Sequence, residues 1–253
     1  MGGSLTVEWV RLTERCHTVV DPDLQLNLGV VDGGTELMVI DTGTDVTQGR
    51  RFRDLVESRL GSDVRWVVDT HHHWDHTFGN EAFAELPIIG HPAARRHLTR
   101  EGDIQREDAR RWLPDRVEQI DATRIVPPNL LVETALQVVV GEVPVTVLHP
   151  GLGHTDCDLV VLAGEVCYAG DLVETGSAPA FDDSYPEIWP STLRRLVPRL
   201  PRVVVPGHGP VTDPEGVLHL AQLVESAVDA ARRRQRGPWP EETAETIRRR
   251  LGR

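Results

Sequence analysis

At 253 residues, the chain is long enough for one large α/β domain with a proper core. Its formal net charge of -12 argues against a nucleic-acid backbone as partner, because phosphate binding needs a basic face. No apolar run reaches bilayer-spanning length, Met1 to Val10 shows no basic-then-apolar secretory pattern, and Cys16, Cys157 and Cys167 read as free thiols of a reducing compartment, so a cytoplasmic location without membrane contact is expected.

Taken in order, the chain opens with short β-like runs at Leu5–Val10, Thr18–Val20, Leu26–Val31 and Leu37–Ile40, with Gly33-Gly34 as a hairpin turn. Asp41-Thr42-Gly43 closes the last run, and a helix from about Asp45 to Leu60 puts Phe52, Leu55, Val56 and Leu60 on one face, with Gly61 just past its end. A buried strand at Trp66–Val68 follows. Beyond it, Asn80–Leu86 reads as helix, Ile88-Ile89 as a short strand, and Pro92–Leu98 and Glu101–Pro114 as helices, the second anchored by Trp112 and Leu113. The segment 95–130 is either a substrate-covering insertion or a plain connecting helix pair.

The second half resumes with β runs at Leu136–Val140, Val143–Leu148, Leu159–Leu162 and Val166–Ala169, then a helix at Ser191–Leu200 and a strand at Arg202–Val205. Helices at Asp213–Arg236 and Glu241–Leu251 end the chain, with Arg232 to Arg236 and Arg248 to Arg250 reading as solvated helix faces. Strands thus cluster in two groups, each followed by helices. Two sheets face to face with helices outside would bury both inner faces, an α/β architecture of four layers, αββα, in a single domain over 1–253. The C-terminal helices, 213–253, would pack on their own domain or on a second copy, giving a monomer or a homodimer.

Between the Trp66–Val68 strand and the next helix stands Thr70-His71-His72-His73-Trp74-Asp75-His76. Four histidines and an aspartate this crowded point to a metal, since histidine is the commonest metal ligand at neutral pH. If Asp69 to Trp74 stay extended, His71 and His73 point to one side and His72 to the other. The pattern His-x-His-x-Asp-His offers ligands for two ions. Three later positions could complete the set: His154 in Gly153-His154-Thr155, Asp171 after Val166–Gly170, and His208 in Pro206-Gly207-His208-Gly209. Each sits at a strand end beside glycine, where the backbone turns tightly.

With these residues in view, the chain resembles the metallo-β-lactamase superfamily over most of residues 20 to 215. The histidine stretch with Gly79-Asn80 is similar to the first metal motif of glyoxalase II enzymes, and Gly151-Leu152-Gly153-His154-Thr155 and Val205-Pro206-Gly207-His208-Gly209 look more like zinc β-lactamases. The resemblance implies a metal cleft at one edge of two mixed sheets flanked by helices. It also implies that His71, His73 and His154 hold one ion, that Asp75, His76 and His208 hold a second, and that Asp171 bridges. Asp41 would support the site through hydrogen bonds, and His149 would be a supporting or structural residue behind His154. Two Zn2+ are the expected ions, with iron or manganese fitting similar ligands.

Two divalent ions about 3.5–4 Å apart can share one water and make it hydroxide near neutral pH. The expected reaction is therefore hydrolysis of a small-molecule ester, thioester or lactone-like acyl bond, with Asp75 and Asp171 as the catalytic carboxylates and Cys157 as a packing residue. Trp74 and Phe78, with Phe181 further along, are expected to line the substrate pocket. The alternatives are a β-lactam hydrolase, a mononuclear iron enzyme similar to persulfide dioxygenases, and a polyketide cyclase on the same scaffold. Asp171 stands where zinc β-lactamases with a Gly-x-Gly-His-Thr pattern usually carry Cys. The tail after Asp213 has no Lys or Tyr for a glutathione moiety, and Leu172-Val173-Glu174 follows Asp171 where acyl-homoserine lactonases place a Tyr.

Overall fold

The structure, a computed structural model, describes residues 7–252; Leu5 and Thr6, the start of the first expected strand, lie outside the described residues. Strands β1 (Glu8–Arg11), β2 (Cys16–Asp21), β3 (Leu26–Asp32) and β4 (Leu37–Ile40) form an antiparallel meander, with Gly33-Gly34 in the β3–β4 turn. Helix α1 (Val46–Leu60) crosses to β5 (Val64–Val68), which pairs parallel to β4. The short helix α2 (Trp74–Thr77) precedes β6 (Ile88–Gly90), and α3 (Pro92–Trp112) and α4 (Val117–Ala122) precede β7 (Leu130–Leu131). Both strands add in parallel to complete a seven-stranded sheet in sequence order. The second sheet has five strands. Its members β8 (Ala135–Val140), β9 (Val143–Leu148), β10 (Val160–Ala163) and β11 (Val166–Tyr168) run antiparallel, and after α5 (Trp189–Leu196) strand β12 (Val203–Val205) joins parallel to β11.

The period of two in β4 sets the layers. Met38 and Ile40 face the second sheet, in a cluster with Val147, Val161 and Tyr168, while Leu37 and Val39 face Phe52 and Val56 of α1. Helix α1 forms there because Asp45 caps it, accepting from the Thr47 and Gln48 amides, and Gly61 ends it in the left-handed region at φ 73°. On the far side, α5, α6 (Pro214–Arg233) and α7 (Glu241–Leu251) cover the second sheet through Leu193, Val224 and Ile247. Two mixed sheets flanked by helices result, as the strand grouping implied, and the C-terminal helices pack on their own chain. Among the described residues no helix is long and apolar enough to cross a membrane.

The segment after β6 departs from the sequence reading. The two helices expected at 92–98 and 101–114 are one helix, because Gly102 lets the Ile125 side chain approach α3 closely rather than breaking it. Trp112 is 70% exposed and anchors nothing; Leu98 and Ala109, packed with Ile120, do. Helix α4 and strand β7, too short to show a period, have no counterpart in the sequence reading. The helix expected at Asn80–Leu86 is a 3₁₀ turn over Phe78–Phe83. Arg116 ties the segment to the first sheet, donating to Asp23 at 3.2 Å and to Thr44 at 3.0 Å.

Candidate metal centre

The cleft lies beyond the carboxyl ends of β4, β5, β9, β11 and β12. Asp41 follows β4 at φ 61°, a left-handed conformation that a non-glycine residue adopts at a cost. Its carboxylate accepts from the Thr70 amide at 2.8 Å, the Thr70 hydroxyl at 2.9 Å and His76 Nδ1 at 2.8 Å. The chain after β5 is not extended through Trp74 as expected; it turns after Asp69, pinned by Asp41 and by the Leu159 amide on the Thr70 carbonyl. The side chains nevertheless diverge as alternation would have them. His71 and His73 converge with ring centroids 4.6 Å apart, whereas His72 turns to Cys157 Sγ at 3.3 Å and stacks on His97.

Two groups of candidate ligands meet at Asp171. In the first, His73 Nδ1 and His154 Nε2 are 3.0 Å apart, and His71 Nε2 and His154 Nε2 lie 3.7 and 3.6 Å from Asp171 Oδ2. In the second, His76 Nε2 and His208 Nε2 are 3.3 Å apart, 3.1 and 3.6 Å from Asp171 Oδ1, and His208 Nε2 is 3.1 Å from Asp75 Oδ2. These groups, His71 with His73, His154 and Asp171, and Asp75 with His76 and His208, have ligand atoms close enough to hold metal ions. Asp171 is seated by Gly207, since a Cβ at that position would collide with its carboxylate.

Hydrogen bonds aim the ring nitrogens inward. His71 Nδ1 is 3.0 Å from the Thr70 hydroxyl, His76 Nδ1 is held by Asp41, and His208 Nδ1 is 2.9 Å from the Leu24 carbonyl. Each therefore turns Nε2 to the cleft, the way metal-bound histidines are oriented. His71 Nε2 is fully buried without a hydrogen-bond partner. Buried polar atoms are rarely left so, and a cation would give it one. The donor set of imidazoles and carboxylates fits zinc, iron or manganese.

Burial holds the His71 and His154 imidazoles below their ordinary range, His154 at about 4, with Asp171 opposing. Burial also works against charge on His76 and His208, but Asp171 and Asp75 outweigh it and lift His208 to about 10 and His76 well above its usual value. Desolvation would raise Asp171, yet the charges of His76 and His208 hold its carboxyl well below the carboxylate range.

The three aromatic residues expected at the pocket are buried. Phe78 is wholly buried with Trp74, Leu98 and Ile120, and Phe181 packs on Trp189 and Trp239 at 5.4 and 5.8 Å. Large aromatic rings gain most from full burial, and these find it among apolar neighbours distant in sequence. His149 stacks on His91 and its Nδ1 lies 2.8 Å from the Asp158 carbonyl, a structural position behind the His154 loop. Two acidic residues at the site went unassigned: Asp183, 3.1 Å from His73 Nε2, and Glu174, 3.8 Å from His154 Nδ1 and pushed to about 8 by burial and Asp171. Neither follows a strand or carries a spacing that marks it.

A four-layer sandwich with a buried His/Asp cluster at the sheets' edge defines a class of metal-binding α/β proteins. The model of the metallo-beta-lactamase superfamily matches residues 21–208. A type 2 metallo-beta-lactamase of Bacillus sp. (strain 170) is 26% identical over 203 residues, 78% of this chain and 71% of that protein. Its counterpart from Bacillus cereus is 25% identical, over 78% of this chain and 72% of its own. Among solved structures, the metallo-beta-lactamase FIM-1 from Pseudomonas aeruginosa, in its mono-zinc form, superposes with TM-score 0.74 at 19% identity, covering 89% of this chain and 98% of that one. A metallo-beta-lactamase from Pontibacter korlensis gives 0.71 at 22% identity, covering 87% and 99%. The chain belongs to the metallo-beta-lactamase superfamily and is a hydrolase of that family.

Proposed function

We propose that this chain hydrolyses a small-molecule acyl bond, an ester, thioester or lactone, with two zinc ions held by the two ligand sets. His71, His73 and His154 would hold one ion, and Asp75, His76 and His208 the other. The observation that carries this reading is Asp171, whose Oδ2 faces the first set and whose Oδ1 faces the second. When bound, such ions polarise a carbonyl and lower the pKa of water. Around them, Asp171 offsets the repulsion between two cations, and Asp75, part-exposed at the mouth with 13% of its side chain accessible, orients the attacking water. Asp41 fixes His76 and, through the Thr70 hydroxyl, His71. No serine or cysteine nucleophile is needed, and the Cys157 thiol is held well above its usual range by burial.

A second reading, opening of a β-lactam amide, draws on relatives named as type 2 metallo-beta-lactamases. The carboxylate at 171, where zinc β-lactamases of this motif pattern usually carry Cys, favours the first. Metal analysis of protein purified without added metal, followed by chromogenic ester, thioester, lactone and cephalosporin substrates, tests both. About two zinc per chain with ester, thioester or lactone turnover is expected. Turnover of the cephalosporin alone moves the assignment to the second reading, and a single iron with oxygen-dependent activity overturns both.

A further inference from the structure

His73 enters the cleft by Nδ1, unlike His71, His76 and His208, so its Nε2 needs a holder on the outer side. That holder is Asp183: its Oδ2 lies 3.1 Å from His73 Nε2 and 3.3 Å from His72 Nε2. His72 is itself fixed, with Nδ1 3.3 Å from Cys157 Sγ and its ring stacked on His97 at 4.3 Å. A single carboxylate oxygen thus collects two imidazole N–H groups, and its place decides where His73 Nδ1 points.

Asp183 sits on a loop, and the loop is gripped from the C-terminus. Arg250 of α7 donates through Nη2 to the Asp183 carbonyl at 2.8 Å and through Nε to the Ser184 carbonyl at 2.7 Å. Its guanidinium also lies over the Tyr185 ring at 5.7 Å, and the Tyr185 amide donates to the Gly153 carbonyl, beside His154, at 2.8 Å. Helix α7 is seated by Ile247, which is fully buried. This helix lies beyond residue 208, where the family match ends.

We infer that Asp183, braced by Arg250 of the C-terminal helix, is a positioning residue that sets His73 for the first metal ion, so the tail helix tunes the metal centre. The inference rests on the reading of His73 as a metal ligand. Outer partners of metal-bound histidines are worth about 10–100-fold in metal affinity.

The test measures zinc affinity of metal-free protein by competition with a chromophoric chelator, together with the cobalt(II) absorption spectrum, for Asp183→Asn, Asp183→Ala, Arg250→Ala, Arg250→Lys and His73→Ala. Asp183→Asn and Asp183→Ala are expected to weaken the first ion about 10–100-fold and to shift the cobalt spectrum, while binding of the second ion changes little. Arg250→Ala should weaken it severalfold, with Arg250→Lys recovering part. Should Arg250→Ala not fold, Asp183→Asn still decides, because the brace holds the Asp183 backbone and not its side chain. If His73→Ala loses the ion while both Asp183 variants bind as the unaltered protein does, the positioning role is overturned and the metal centre stands. If His73→Ala itself binds unchanged, the metal reading fails. A third ion per chain lost in the Asp183 variants would also overturn the inference, since His72, His73 and Asp183 would then be ligands themselves.

Discussion

The imidazoles of the two candidate ligand sets are held by different means. Around His71 and His154 the surroundings are dry, and burial keeps their imidazoles neutral, His154 down to about 4. Around His76 and His208 stand carboxylates, Asp171 and Asp75, with Asp41 behind His76, and these hold protons on both rings despite burial. His71 and His154 thus depend on desolvation, whereas the second set depends on counter-charge, as does His73, which, against burial, Asp183 lifts to about 9. Asp171 serves both, one oxygen to each. A cation entering the second set, or reaching His73, must displace protons, whereas His71 and His154 accept one without that step.

Asp171→Ala breaks the comparison most severely, because it removes the carboxylate proposed to serve both sets. Turnover should fall at least about a thousandfold, equivalent to about 4 kcal/mol, with the protein still folded; near-normal kcat/KM would remove Asp171 from the site. His71→Ala should act similarly through the first set. Next in size, His208→Ala should drop bound zinc from about two to about one per chain. Loss of both ions in that variant would show that the sets are not separable.

The same contrast can be sharpened with pH. Because His208 and His76 are raised, and His73 of the first set with them, they stay protonated at neutral pH without metal, so zinc uptake should release protons at all three and weaken as pH falls. Titration in buffers of different ionisation enthalpy measures the count, and binding without proton release would contradict the carboxylate argument. Asp41→Ala should cost about 1–3 kcal/mol of stability, the typical penalty for buried donors left unpaired, here the Thr70 amide and His76 Nδ1; calorimetry of the metal-free protein reads it. The smallest effect concerns the thiols. Cys16, Cys157 and Cys167 are free and buried, and burial pushes Cys167 to about 12, so a disulfide reagent should label none of them until the protein unfolds.

Much of this molecule is written in short-range signals. The α1 boundaries follow from Asp45 and Gly61, and the β runs from apolar stretches ended by glycine or polar turns, because capping and period-two burial act within a few residues. The run from His71 to His76 announces a metal by density alone. His154, Asp171 and His208 each carry little signal, and resemblance to a family rather than local spacing joined them to that run. The tertiary structure alone decided the rest. Trp74, Phe78 and Phe181 went inward because neighbours far along the chain, such as Ile120 and Trp239, offered apolar partners. Asp183 came to His73 because Arg250, in the last helix, holds the loop that carries it. Side-chain burial and long-range hydrogen bonds depend on which elements meet, and that is a property of the packed chain, not of any window within it.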